Sequence, residues 1–190
     1  MNREILEWPH QALKTKTKNV SDVSSVKDII IDLIDSCNVA MGIGLAANQI
    51  GYLENICVIR PRAMGIENTD PSQINAEFMV CINPILKISQ DSGTIKWKEG
   101  CLSFEGLETT VERKTKGVFS YLSELGEKKE LEVGWPIIGA IQHELEHLSG
   151  KNMLSSKKPI TRSLEISSWE KKKLKKQKRV QKLFNLDGEI

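Results

Sequence analysis

Apolar side chains recur at Val26, Ile29, Ile30, Leu33 and Ile34 within SSVKDIIIDLIDSCNVA, residues 24–40. This three-and-four spacing predicts an amphipathic helix, with Ser24 or Ser25 as its N-cap. MGIGLAANQIG follows and is too rich in glycine for a regular helix. ENICVIRP and AEFMVCINPIL are short apolar runs, each closed by a proline or an Asn-Pro step, which predicts two strands. RAMGIENTDPSQ, between them, reads as a loop. GTIKWKEGCLS alternates Ile95 and Trp97 with lysines, the period-two pattern of a half-buried strand. ETTVERKTKGVFSYLSELGEKKELEVG predicts further strands about an LGEKK turn. WPIIGAIQHELEHLSG returns to helical period, with Pro136 near the first turn and Gly150 as the stop. Residues 162–184 are lysine-rich and partly helical in pattern. A helix, several strands and then one apolar helix predict an α+β fold.

Length and composition narrow the class. A chain of 190 residues with 39% hydrophobic and 27% charged residues fits one globular domain, large enough for its own core, plus a tail. No apolar run reaches the length of a membrane span. MNREILEWPHQ has neither the basic start nor the apolar stretch of a secretory signal, so the expected location is the cytoplasm. Charge is unevenly spread. Residues 155–190 carry 11 basic and 4 acidic side chains, a net of +7, against 16 and 21, a net of −5, in residues 1–154. A basic tail of this kind is either a solvated helix or a surface for an anionic partner such as nucleic acid.

The chemistry concentrates in IQHELEHLSG, residues 141–150. His143 and His147 are four apart, so on a helix they share a face and can share a metal ion. Glu144 lies beside them and can serve as a base for a water held there. The plainer reading is a helix with an incidental histidine pair. A catalytic metal site needs a third protein ligand and an open position. The residues leave three choices: Glu165 and Glu170 in the basic tail, and Cys101 in KEGCLSFEG. Cys37, Cys57 and Cys81 sit in apolar surroundings and read as small buried hydrophobes.

Three motifs in one order resemble the peptide deformylase family: GIGLAANQ at 42–49, EGCLS at 99–103 and QHELEHLSG at 142–150. The likeness extends over residues 3–155 and includes ILEWPHQALK near the start. It implies antiparallel sheets packed around a central helix that bears HExxH, with an N-terminal helix and a basic, helical C-terminal tail. It divides the chain into a catalytic domain, 1–155, and a tail, 156–190. It implies Cys101, His143 and His147 as ligands of one divalent ion, Fe2+ as the physiological metal, with Zn2+, Ni2+ or Co2+ able to occupy the site in purified protein. Glu144 is then the general base and acid. Gln49 and the backbone N–H of Leu102 are donors to the formyl oxygen of an N-formyl-methionyl peptide. Ile43, Gly44, Trp97, Pro136, Gly139 and Ala140 fall at substrate-pocket positions, with the small Gly139 and Ala140 expected to leave room for a side chain. The tail beyond residue 155 matches no motif of the family; its basic pattern makes ribosome contact through phosphates the expected partner role, and no membrane partner is expected.

The chain departs from the family pattern at several places. Glu146 stands where most members have Asp, facing an expected ion pair with Arg113. CLSFEG replaces the usual Cys-Leu-Ser-Ile-Pro or Cys-Leu-Ser-Val-Pro, and Glu108 stands where many bacterial members carry a basic residue. The rival enzyme is an HExxH zinc metallopeptidase with a tail carboxylate as third ligand. A rival of another kind is a metal-stabilised RNA-binding module.

Overall fold

Helix α1 spans Lys27–Val39 and is preceded by a 3-10 turn, Val23–Val26. The computed structural model describes residues 1–64 and 77–186, with side chains up to residue 181. The cap differs from the expected Ser24 or Ser25. Asp22 accepts from the Ser24 N–H at 2.9 Å and from its hydroxyl at 2.7 Å. The added 3-10 turn moves the start of the ordered segment back by two residues, and a carboxylate there satisfies the first free N–H.

Strands β1 (Gly44–Ala46), β2 (Ile56–Ile59), β3 (Met79–Ile88), β6 (Lys116–Leu122) and β7 (Lys128–Gly134) form one antiparallel sheet in that order. β4 (Thr94–Gly100) and β5 (Glu108–Lys114) form a separate antiparallel pair. Helix α2 spans Ile137–Leu148. Beyond Met64, the loop read in RAMGIENTDPSQ lies outside the described residues.

The unbroken apolar runs of β2 and the start of β3 have a clear cause. Ile56, Val58, Val80 and Ile82 join a core with Leu33 and Cys37 of α1. The intervening Cys57, Ile59, Met79 and Cys81 join a second core with Ile138 and Ile141 of α2. Strands covered on both faces lose the apolar–polar alternation that marks a half-buried strand.

Asn83-Pro84 does not close β3, as the sequence predicts, but lies within it. The pairing with β6 shifts register between Ile82 and Ile85. Asn83 takes a left-handed backbone, φ 51°, which Asn tolerates better than most residues. Its side chain bonds the N–H and C=O of Val20, each at 2.8 Å. Proline has no N–H to lose at such an irregularity, so strand pairing resumes beyond it.

The chain divides into two compact units, Met1–Met153 and Leu154–Ile190. Within the second, helix α3 runs Pro159–Leu186, longer than the 162–184 segment suggests. A proline at its first position costs the helix no hydrogen bond. Lys157 pairs with Glu165 at 3.0 Å. No helix among the described residues is long and apolar enough to cross a membrane.

Candidate metal centre and adjoining cavity

β4 ends at Gly100, and Cys101 then starts a tight 3-10 turn, Leu102–Phe104, from an extended backbone. This turn delivers the Cys101 sulfur toward α2, where His143 and His147 are one turn apart on the same face. The ligand atoms of the three residues all lie within 4.8 Å of one another. Cys101 Sγ is 3.2 Å from His147 Nε2. Among the described residues this is the one group of its kind.

Behind the histidines lies a chain of charges. His143 Nδ1 is 3.0 Å from Glu99 Oε2. Arg113 donates to both oxygens of Glu99, at 2.7 and 2.8 Å, and to both of Glu146, at 2.7 and 3.0 Å. Glu99 is two residues before Cys101 on β4, Arg113 is on the paired strand β5, and Glu146 is on α2. Burial opposes ionisation of Glu99, but Arg113 and then His143 hold its pKa down at about 2. Burial likewise opposes the charge on Arg113, yet Glu99 and Glu146 raise its pKa above the usual value. A fixed carboxylate at Nδ1 assigns the proton to that nitrogen and leaves Nε2 as the free donor atom.

The two imidazoles differ. Burial disfavours charge on His143, but Cys101 and Glu99 outweigh it and raise its pKa well above the ordinary value. His147 is lowered well below it, by burial first and then by the charges of His143 and Arg113. Its Nδ1 is buried without a hydrogen-bond partner. Its backbone carbonyl accepts from Asn48.

Glu144 is 4% exposed, and burial raises its pKa to about 7. Its Oε2 is buried and has no partner. A carboxylate poised near neutrality can both accept and return a proton. Gly44 makes room for it: a Cβ there would lie 2.5 Å from Glu144 Oε1. Gly44→Ala is therefore expected to displace the carboxylate and reduce turnover by roughly tenfold or more while the fold melts near the wild-type temperature. Steady-state kinetics beside a thermal melt would check this, and wild-type kinetics would refute the packing argument.

Gln49 is buried in a 3-10 turn, Ala47–Ile50. Its Oε1 accepts from the Ala46 N–H at 2.9 Å. Its Nε2 donates to Ser103 Oγ at 3.1 Å and lies 3.8 Å from Cys101 Sγ. The amide donor thus points at the sulfur side of the site. Leu102 follows Cys101 directly and lines the cavity beside it.

A cavity of about 520 Å³ opens beside these groups, and Cys101, Leu102, Gln49, His143 and Glu144 line it. Ile43, Gly44, Trp97, Pro136, Gly139 and Ala140 line it too. Three participants were missed by reasoning from sequence. Glu99 carries a signal, since residues two apart on a strand share a face and Cys101 is the second residue after it. Trp135, which lines the cavity and packs edge to face on Trp97, and Asn48, which donates to the His147 carbonyl, carry none, because these partners are distant in sequence.

One sulfur and two imidazole nitrogens suit a borderline divalent ion such as iron or zinc. The bare Oε2 of Glu144 fits a site completed by a small polar group. The residues present therefore fit a metal.

A family model described as Polypeptide deformylase matches residues 2–163. The chain is 39% identical over 174 residues to a peptide deformylase of Aquifex aeolicus, covering 90% of this chain and 96% of that one. It is 32% identical over 171 residues to one of Thermodesulfovibrio yellowstonii, covering 90% and 98%. Among solved structures, a peptide deformylase from Legionella pneumophila superposes with a TM-score of 0.76 at 31% identity, covering 95% and 98%. One from Thermus thermophilus superposes with 0.78 at 26% identity, covering 94% and 99%.

Proposed function

This chain belongs to the polypeptide deformylase family, and on that premise we propose that it hydrolyses the formyl group from N-formyl-methionine at the start of nascent polypeptides, releasing formate. The observation that carries the reading is the grouping of Cys101, His143 and His147 beside a cavity that Cys101, His143, Glu144 and Gln49 line. Cys101, His143 and His147 hold a divalent ion, which when bound acidifies water and polarises the formyl oxygen. Fe2+ is the proposed physiological ion.

Glu144 removes a proton from the water that attacks the formyl carbon. Negative charge grows on the formyl oxygen, where the Gln49 side-chain amide and the Leu102 backbone N–H donate. As the carbon–nitrogen bond breaks, Glu144 gives the proton to the departing amine. The products are formate and a free N-terminus. Glu99 and Arg113 keep His143 oriented throughout.

The test is formate release from N-formyl-Met-Ala-Ser by anaerobically prepared, Fe2+-loaded protein. Absence of formate from fully loaded protein would overturn the reading. The family match disfavours the metallopeptidase alternative with Glu165 as ligand. Loss of bound metal in Cys101→Ala but not in Glu165→Ala would exclude it directly.

The reading extends to the cytoplasm as location and to the ribosome as a partner of the basic helix. Six side chains, Lys171, Lys172, Lys173, Lys175, Lys176 and Lys178, give α3 a dense run of positive charge suited to RNA phosphates. Removing residues 162–190 is expected to weaken ribosome co-sedimentation and leave short formyl-peptide hydrolysis intact. Equal sedimentation of the shortened protein would sink the docking role.

A further inference from the structure

The Gln49 side chain is held at both ends of its amide. Its Oε1 accepts from the Ala46 N–H at 2.9 Å. A backbone N–H can only donate, so that contact fixes which end of the amide is oxygen. Its Nε2 donates to Ser103 Oγ at 3.1 Å. The two Nε2 hydrogens lie in the amide plane, so committing one to Ser103 fixes the direction of the other. That second N–H is the one left for the cavity, on the side where Cys101 Sγ lies 3.8 Å from Nε2. Ser103 is fully buried and does not line the cavity.

The turn that carries Ser103 is itself held from outside. The Phe104 N–H closes it on the Cys101 carbonyl at 2.9 Å. Glu105 follows where the family pattern has proline, so no ring stiffens the turn from within. Residues 6–8 hold it instead. The Trp8 N–H donates to the Ser103 carbonyl at 3.0 Å, and the Leu6 N–H donates to the Gln49 carbonyl at 2.8 Å. The Trp8 indole stacks on the buried Phe104 ring, with centroids 5.6 Å apart and planes at 19°. Lys14 Nζ adds a cation contact 5.0 Å from the indole centroid. One short stretch thus joins the turn of Gln49 to the turn of Ser103.

We propose that residues 6–8, seated by Trp8 on Phe104, bracket these two turns so that the Ser103 hydroxyl aims the free Gln49 N–H into the cavity. Trp8 and Ser103 are positioning residues: neither lines the cavity, and both act through Gln49. The proposal rests on the deformylase reading for the charge that Gln49 meets, whereas the aim of the amide is a property of the fold. A misaimed donor loses most where charge develops, so the loss falls on kcat rather than on KM.

The test has two readouts. With Fe2+-loaded protein and N-formyl-Met-Ala-Ser, Ser103→Ala is expected to lower kcat about 10- to 100-fold and to leave KM within about twofold. Trp8→Ala should lower kcat about three- to tenfold, and Trp8→Phe, which keeps a stacking ring, should restore it. In diamagnetic Zn2+-loaded protein, NMR follows solvent exchange of the Gln49 side-chain amide, recognised by its absence from Gln49→Glu. That exchange should quicken roughly tenfold or more in both alanine variants while the backbone amides of β2 and β3 stay protected. Wild-type kcat in either alanine variant overturns the bracket, as does a KM that rises as far as kcat falls. Amide exchange that is unchanged, or that rises only together with that of the backbone, overturns it too. Formate release beside any of these outcomes defeats this inference alone. Faster amide exchange in the variants, without formate release from the wild type, leaves the bracket standing and defeats the deformylase reading.

Discussion

Glu144→Gln will lower formate release by about 10²- to 10⁴-fold while the protein retains its full complement of metal. The carboxylate is isolated for the purpose: it is buried, and its Oε2 has no partner. Burial raises its pKa to about 7, so the fold alone holds it at the boundary between base and acid. Glutamine keeps the shape and hydrogen-bonding reach of the side chain and removes only the proton exchange. The three proposed ligands, Cys101, His143 and His147, are untouched. Kinetics paired with metal analysis separates the roles. Activity within tenfold of wild type would show that Glu144 is not the proton carrier, whereas loss of metal would place it in the binding set instead.

Arg113→Ala will destabilise the fold by about 3–5 kcal/mol, because two carboxylates lose the cation they share. Arg113 and Glu99 side chains are 4% and 9% exposed, while Glu146 is 26% exposed. Most of the penalty therefore falls on Glu99. For a chain of this size the shift is roughly 6–20 °C in melting temperature. Glu99 would also lose the partner that aims it at His143 Nδ1, and metal affinity should fall about 10- to 100-fold. Arg113→Lys is expected to rescue little, since one ammonium cannot reproduce a fork that bonds both oxygens of two carboxylates. Thermal melts and a metal titration decide the matter. A variant with unchanged melting and unchanged affinity would reduce the four-residue chain to a solvated contact.

Much of this arrangement was legible in the sequence because it is local. His143, Glu144 and His147 are spaced by one helical turn, and the turn after Cys101 is written in neighbouring residues. The apolar runs at 56–59 and 79–82 were readable as strands, although periodicity did not say that both faces were covered. Asn83-Pro84 was misleading because the signal for a turn is the same as that for a bulge within a continuing strand. The N-cap moved to Asp22 because a 3-10 turn added ahead of a helix leaves no trace in apolar spacing. Gly139 was legible as a small residue but not as a seat for the Trp135 indole, and Trp97 as half-buried but not as the edge-to-face neighbour of that indole. Both facts depend on residues from separate elements meeting. Arg113 and Glu146 were paired by family likeness, whereas the link from Arg113 through Glu99 to His143 required coordinates.

The distribution of the four cysteines makes the protein its own reporter for chemical titration. Cys37, Cys57 and Cys81 are buried, and Cys101 is half-buried. Burial pushes the Cys37 thiol up to about 12. Cys57 is raised by its hydrogen bond with Cys81 and by burial, so neither presents a ready thiolate to reagent. An alkylating or thiol-exchange probe applied to the folded protein will therefore label Cys101 first. Because the same sulfur is the proposed ligand, bound metal should mask it. A fast-reacting thiol, counted by mass, then measures the empty fraction of a preparation, and the three silent sulfurs supply the unfolded control on exposure to denaturant.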